Sequence, residues 1–149
     1  MSSPDPIALT SIARVENGER DAGRQDWRRV RSTIRLREGL GEALLGLEGY
    51  THVIVIGWLH EIPEELRTRL QAYPAGDELL PLQGALALRG GARPNPLSFT
   101  VCRLLRVDGD TLEVEGLDLV DGTPVLDVKP YIPHYDAEPK AKIPKWAGG

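Results

Sequence analysis

The run Tyr50-Thr51-His52-Val53-Ile54-Val55-Ile56-Gly57-Trp58-Leu59-His60 is the most apolar in the chain. It is rich in β-branched residues and about one strand long, which predicts a strand buried at the centre of a sheet. A central strand needs neighbours on both edges, and the sequence supplies them as short runs set apart by turn residues. Residues 7–15 alternate loosely. Residues 27–37 place Val30, Ser32, Ile34 and Leu36 at even spacing with arginines between them, the pattern of a strand with one wet face. Residues 99–107 and 111–117 flank Asp108-Gly109-Asp110, a hairpin turn of the Asp-Gly kind, with Leu112, Val114 and Leu117 inward. Residues 79–89 read as another strand, whose small Gly84, Ala85 and Ala87 permit close approach by a backbone or a ligand. With 125–129 this makes about seven strand-like stretches, against short helical pieces only at 38–49 and 63–70. The pattern predicts a mainly β fold: a small single-domain β-barrel with one or two short helices.

A chain of 149 residues is long enough for one domain with a core. No apolar run approaches the roughly 20 residues of a membrane span. The opening Met1-Ser2-Ser3-Pro4-Asp5-Pro6 lacks a basic-then-apolar signal pattern, so a cytoplasmic protein without membrane partners is expected. One cysteine, Cys102, excludes an internal disulfide and a cysteine-built zinc site, and reads as a buried structural thiol. His52, His60 and His134 carry no metal-site spacing, and no metal is expected. A net charge of −4 and a pI of about 5.4 argue against a protein that grips long nucleic acid. Residues 14–37 nevertheless hold eight arginines against Glu16, Glu19, Asp21 and Asp26. Two readings stand: a locally basic face, or a solvated arginine-rich loop.

Two stretches carry the chemistry. In 89–98, Arg89-Gly90-Gly91-Ala92-Arg93-Pro94-Asn95-Pro96-Leu97-Ser98, two prolines remove backbone donors and stiffen a loop that presents Arg89 and Arg93. A stiff loop bearing arginine captures a carboxylate or phosphate at low ordering cost. In 118–133, Asp121-Gly122-Thr123-Pro124 reads as a tight turn with Gly122 at positive φ. Beyond it, strict alternation places Val125, Asp127 and Lys129 on one strand face and Leu126 and Val128 on the other, with Tyr131 adjoining. An acid and a base on one face beside a tyrosine suit a site wall. The alternative is a surface ion pair beside a core tyrosine.

These residues resemble the TsaA-like family, the TrmO group of tRNA methyltransferases. The matching pieces are Gly46-Leu47-Glu48-Gly49-Tyr50-Thr51-His52, Trp58-Leu59-His60, Leu88-Arg89, Arg93-Pro94-Asn95-Pro96 and the run from Leu117 to Tyr131, in that order. The resemblance implies a barrel, taken over residues 1–136, and the polar, proline-punctuated residues 137–149 beyond it read as a C-terminal arm. It also implies a homodimer and an S-adenosyl-L-methionine site near the subunit interface. The activity implied is methylation of the exocyclic nitrogen of a threonylcarbamoyl-modified adenosine beside the tRNA anticodon. Carried onto this chain, the cofactor contacts are Leu59, His60, Arg89, Arg93, Asn95, Phe99, Asp118, Asp121 and Thr123. Asp127, Lys129 and Tyr131 are the catalytic residues. The chain departs from the group's pattern at Arg24-Gln25-Asp26-Trp27, at Gly90-Gly91-Ala92 and at Leu97-Ser98. Those departures keep two other readings in play: a methyltransferase for a small-molecule acceptor, and a non-catalytic S-adenosyl-L-methionine-binding module.

Overall fold

A computed structural model describes residues 4–148. Residues 1–3 and 149, which fall within the N-terminal reading, the barrel boundary and the arm, lie outside the described residues. The elements are β1 (Ala13–Glu16), β2 (Arg31–Leu36), β3 (His52–Trp58), β4 (Gln71–Ala72), β5 (Gln83–Gly84), β6 (Leu97–Asp108), β7 (Thr111–Glu115), β8 (Pro124–Pro130) and α1 (Pro133–Asp136). Six strands close a barrel in the order β1-β2-β7-β6-β3-β8, every pair antiparallel. Closure gives each barrel strand a neighbour on both sides, while β4 and β5 pair apart from it as a two-stranded sheet.

The apolar run at 52–58 becomes β3, paired on both edges: His52–Trp58 opposite Leu97–Arg103 of β6, and Val53–Gly57 opposite β8. Val53 and Val55 point into the barrel and are fully buried. The even spacing in 30–36 holds as well, with Val30, Ser32, Ile34 and Leu36 all buried. The Asp-Gly hairpin joins β6 to β7 with Asp108 opposite Thr111 and Gly109 at φ 62°. Val15, Ile34, Leu112, Val114, Leu117 and Val125 complete a dry interior. Fully burying such a side chain contributes about 1.5–3 kcal/mol each.

Three expectations need correction. Within 7–15 only the last three residues are in a strand, β1 (Ala13–Glu16), and Ile7 and Leu9 are exposed, because β1 meets β2 and β8 over only this short span. Residues 79–89 contribute no barrel strand. They hold the two-residue β5 and a 3-10 turn at Ala85–Ala87, with Leu79 95% and Leu86 79% exposed. The barrel closes without this stretch, and Gln83–Gly84 pair only with Gln71–Ala72 of β4. The short helical pieces expected at 38–49 and 63–70 are present, as 3-10 turns at Gly41–Leu44, Leu47–Gly49 and Glu64–Thr68. Finally, Val125 does not share a face with Asp127. The β3–β8 register shifts between Ile56 and Gly57, so Asp127 opposes Ile56 while Val125 opposes Gly57. The extra residue, Leu126, is a bulge. Val125 therefore turns into the core, and Val128 packs against it from the same side.

Cys102 is buried on β6, and burial together with nearby Asp118 pushes its thiol up to about 12. No helix among the described residues is long and apolar enough to cross a membrane.

Candidate functional site

β3 and β6 pair directly, so residues 59–96 leave the barrel as one excursion and must return to where they left. Leu59 N–H donates to Pro96 O at 2.8 Å and closes its neck. Across from that neck runs the segment 118–123, which precedes β8. The space between them is a cleft of about 1020 Å³. Its floor is Leu59, Ile62, Phe99 and Leu119. Its polar wall is His60, Glu61, Arg89, Arg93, Asn95 and Asp118.

Eight of the nine expected cofactor contacts line this cleft: Leu59, His60, Arg89, Arg93, Asn95, Phe99, Asp118 and Thr123. Several spend polar groups on the scaffold. Arg93 Nη1 donates to Leu88 O (2.8 Å) and Gly90 O (3.1 Å), holding the glycine turn closed. Arg89 Nη2 donates to Phe99 O at 3.0 Å, and its guanidinium lies 5.9 Å from the Phe99 ring centroid. Thr100 Oγ1 donates to Asp118 Oδ1 at 2.6 Å, which leaves the second carboxylate oxygen for the cleft. Buried Thr123 donates its hydroxyl to Val120 O at 2.7 Å.

Asp121 stands outside the lining and works as a clasp. Its Oδ1 accepts the backbone amides of Asn17 (2.8 Å) and Gly18 (3.0 Å), and its own amide donates to Glu19 O (2.7 Å). The amides of Gly18 and Asn17 hold its pKa below the ordinary aspartate range. Asn17 Nδ2 extends the clasp to Ser32 Oγ and Leu119 O. The clasp fixes the root of the 17–26 loop, which delivers Ala22 to the cleft. Gly122 takes φ 82°, as the turn requires.

Asp127, Lys129 and Tyr131 are not in the cleft lining. They sit along β8 and just beyond it. Asp127 is opposite Ile56, itself opposite Phe99; Lys129 is opposite Ile54, itself opposite Val101. Directly opposed residues share a sheet face, so the acid and the lysine lie roughly 10 Å, two strand spacings, from Phe99 and Val101 at the cleft. Lys129 Nζ meets Asp127 Oδ2 at 2.8 Å with both side chains about half exposed. That hydrogen bond and charge raise the pKa of Lys129, so it stays an ammonium. Tyr131 N–H donates to His52 O (3.1 Å), and the Tyr131 and His52 rings meet edge to face.

Lining residues beyond those expected include Ala22, Glu61, Ile62, Gly91, Ser98 and Leu119. The signal for Gly91 was its place in a glycine pair. A Cβ there would stand 2.6 Å from Ile62 Cδ1 and 3.2 Å from Leu59 Cδ1. Glu61 simply follows His60, and nothing local points to Ala22. The arginines of 14–37 do not make a uniformly basic face. Arg35 pairs with Glu16 (2.8 Å), Arg24 with Glu19 (2.9 Å) and Arg31 with Glu115 (3.4 Å). Among the described residues no three His, Cys, Asp or Glu side chains gather as a metal group.

Comparison with known proteins adds to this geometry. The family model described as the tRNA-methyltransferase O N-terminal domain matches residues 18–137. The probable S-adenosyl-L-methionine-binding protein VirR of Rhizobium radiobacter is 39% identical over 98 residues, 66% of this chain and 53% of VirR. The tRNA (adenine(37)-N6)-methyltransferase of Mus musculus is 32% identical over 115 residues, 72% of this chain and 25% of the mouse protein. A crystal structure of TrmO superposes with a TM-score of 0.76 at 30% identity, covering 95% of this chain and 62% of that one. The chain thus spans about half or less of the length of these two curated relatives.

Proposed function

The chain belongs to the tRNA-methyltransferase O N-terminal domain family, and on that premise we propose that it binds S-adenosyl-L-methionine in the cleft and methylates the exocyclic nitrogen of an adenosine beside the tRNA anticodon. The observation that carries this reading is the cleft itself. Its volume suits a nucleoside-sized ligand. Its apolar floor suits an adenine ring and a thioether-like chain, while Arg89 and Arg93 suit the carboxylate and Asp118 or Glu61 the amino group. When bound, the cofactor supplies an activated methyl for in-line displacement.

The protein's contribution is then positioning and proton handling. An acceptor nitrogen of the carbamoyl-adenosine kind attacks more readily once its proton is lost. Lys129 stays charged beside Asp127, so it is not the base. It binds an acceptor carboxylate, and Asp127 or Tyr131 takes the proton.

These residues stand across β3 from the cleft. A homodimer in which a second copy covers the outer face of β6-β3-β8 brings the two groups into one site. Exposed Leu97, Phe99 and Val101 on that side support such cover. The setting is the cytoplasm. One observation favours a second reading, a binding module without transfer: Asp127 and Lys129 satisfy each other and lie outside the cleft.

The test is calorimetric titration with S-adenosyl-L-methionine of wild type and Arg89→Ala, then transfer of labelled methyl to tRNA that lacks the modification. Saturable binding, weakened in the variant, with label in tRNA, is expected. Binding without transfer would move the assignment to the binding module. No binding by folded wild type would reject both.

A further inference from the structure

We propose that Arg67 is a positioning residue of the cleft, which fixes the wall loop 93–97 and turns the Asn95 amide so that its NH2 group faces the bound ligand; this rests on the S-adenosyl-L-methionine reading above. One guanidinium ties together three elements. Its Nε donates to Pro94 O at 2.7 Å, its Nη2 to Asn95 Oδ1 at 3.2 Å, and its Nη1 to Glu64 Oε1 at 3.1 Å. Its plane also lies 5.4 Å from the Trp58 ring centroid at the end of β3.

The loop needs an outside anchor. Pro94 and Pro96 carry no N–H, and the backbone bonds that hold it are Leu59 N–H to Pro96 O (2.8 Å) and Leu97 N–H to Asn95 O (2.7 Å). Among the described residues, no other side chain donates to Pro94 or Asn95.

The chemistry of the contact fixes which way the amide points. Arginine has donors and no acceptor, so the Asn95 atom facing it is the carbonyl oxygen. The two N–H bonds of Nδ2 have no protein partner among the described residues, and Asn95 lines the cleft. The wall therefore presents a fixed donor to an acceptor on the ligand. Arg67 itself does not line the cleft and acts through Asn95. Lysine at this position would satisfy one of the two acceptors but not both, because it lacks the planar fork.

A double-mutant cycle tests this, with S-adenosyl-L-methionine as the calorimetric probe and thermal melts beside it. Asn95→Ala and Arg67→Ala should each weaken binding about three- to tenfold, the effect of one neutral hydrogen bond. The double variant should bind no more weakly than Asn95→Ala alone, and Arg67→Lys should recover part of the loss. Losses that multiply in the double variant, or full affinity in Arg67→Ala, would overturn the assignment while leaving the cofactor reading intact. A folded wild type that binds no S-adenosyl-L-methionine would overturn both.

Discussion

Gly57→Ala probes how tightly β3 is set against the cleft. A Cβ at this position would stand 2.8 Å from Ser98 Oγ and 2.9 Å from Leu119 Cδ1, with Pro124 O at 3.5 Å. Neither close neighbour is free to give way. Ser98 Oγ accepts the Gly57 amide proton at 3.0 Å, and Leu119 is buried. Overpacking of this kind costs about 1–3 kcal/mol. A stiffer unfolded chain returns about 0.4–1 kcal/mol. The net loss is about 1–2 kcal/mol, and each kcal/mol lowers Tm by about 2–4 °C at this chain length. Scanning calorimetry should therefore show Tm about 2–8 °C lower. Ser98→Ala should reduce the cost of Gly57→Ala, because it removes the nearest obstacle. Ser98 and Leu119 both line the cleft, so the single variant should also weaken S-adenosyl-L-methionine binding. An unchanged Tm, or costs that simply add in the double variant, would refute the steric argument.

Other outcomes follow from the same geometry. Asp121 has a lowered folded-state pKa, so its clasp contributes above the ordinary aspartate pKa and is lost as pH falls through the folded value. Urea melts across the acid range should show a shallower loss of stability for Asp121→Asn than for wild type; parallel curves would contradict the clasp. Cys102, with its thiol raised to about 12, should resist a thiol reagent at neutral pH until the chain is unfolded; rapid native labelling would contradict its burial. If the proposed methyl transfer holds, Lys129→Ala should slow it about 10- to 100-fold, from the loss of one charge-assisted hydrogen bond of about 1.5–3 kcal/mol. Cofactor affinity should be unchanged within error, and equal loss of both would place Lys129 in the cofactor site instead.

Much of the barrel was legible because period-two burial leaves a local trace. The alternation of Val30, Ser32, Ile34 and Leu36 and the Asp108-Gly109-Asp110 turn can be read without a partner strand. What misled was apolar content alone: residues 79–89 look like a strand, but the barrel closes without them and only Gln83–Gly84 pair, with β4. The bulge at Leu126 was hidden for a related reason. It depends on how β8 registers against β3, and no residue of 124–130 announces it. At the site, Arg93, Asn95 and Asp118 of the quoted motifs line one cleft. Asp121 is the instructive exception. An aspartate that binds a ligand and one that binds the chain's own amides leave the same mark in sequence, and only the arrival of Asn17 and Gly18 distinguishes them. Ala22 entered the cleft through that clasp, a tertiary effect with no local trace.

The seam of the barrel joins β1 to β8, with Ala13 opposite Val125 and Arg14 opposite Pro124. During vectorial synthesis β1 (Ala13–Glu16) waits until Pro124–Pro130 has been made before its second neighbour exists. The cleft waits as well, since 118–123 forms one of its walls. Closing so long a loop carries its entropy cost before any contact repays it, which slows folding. A ribosome-bound chain halted short of residue 118 would hold β1, β2 and β3 without the strand that β1 and β3 both pair with. Such a nascent chain would present open strand edges to chaperones, and cofactor binding would begin only after β8 had emerged.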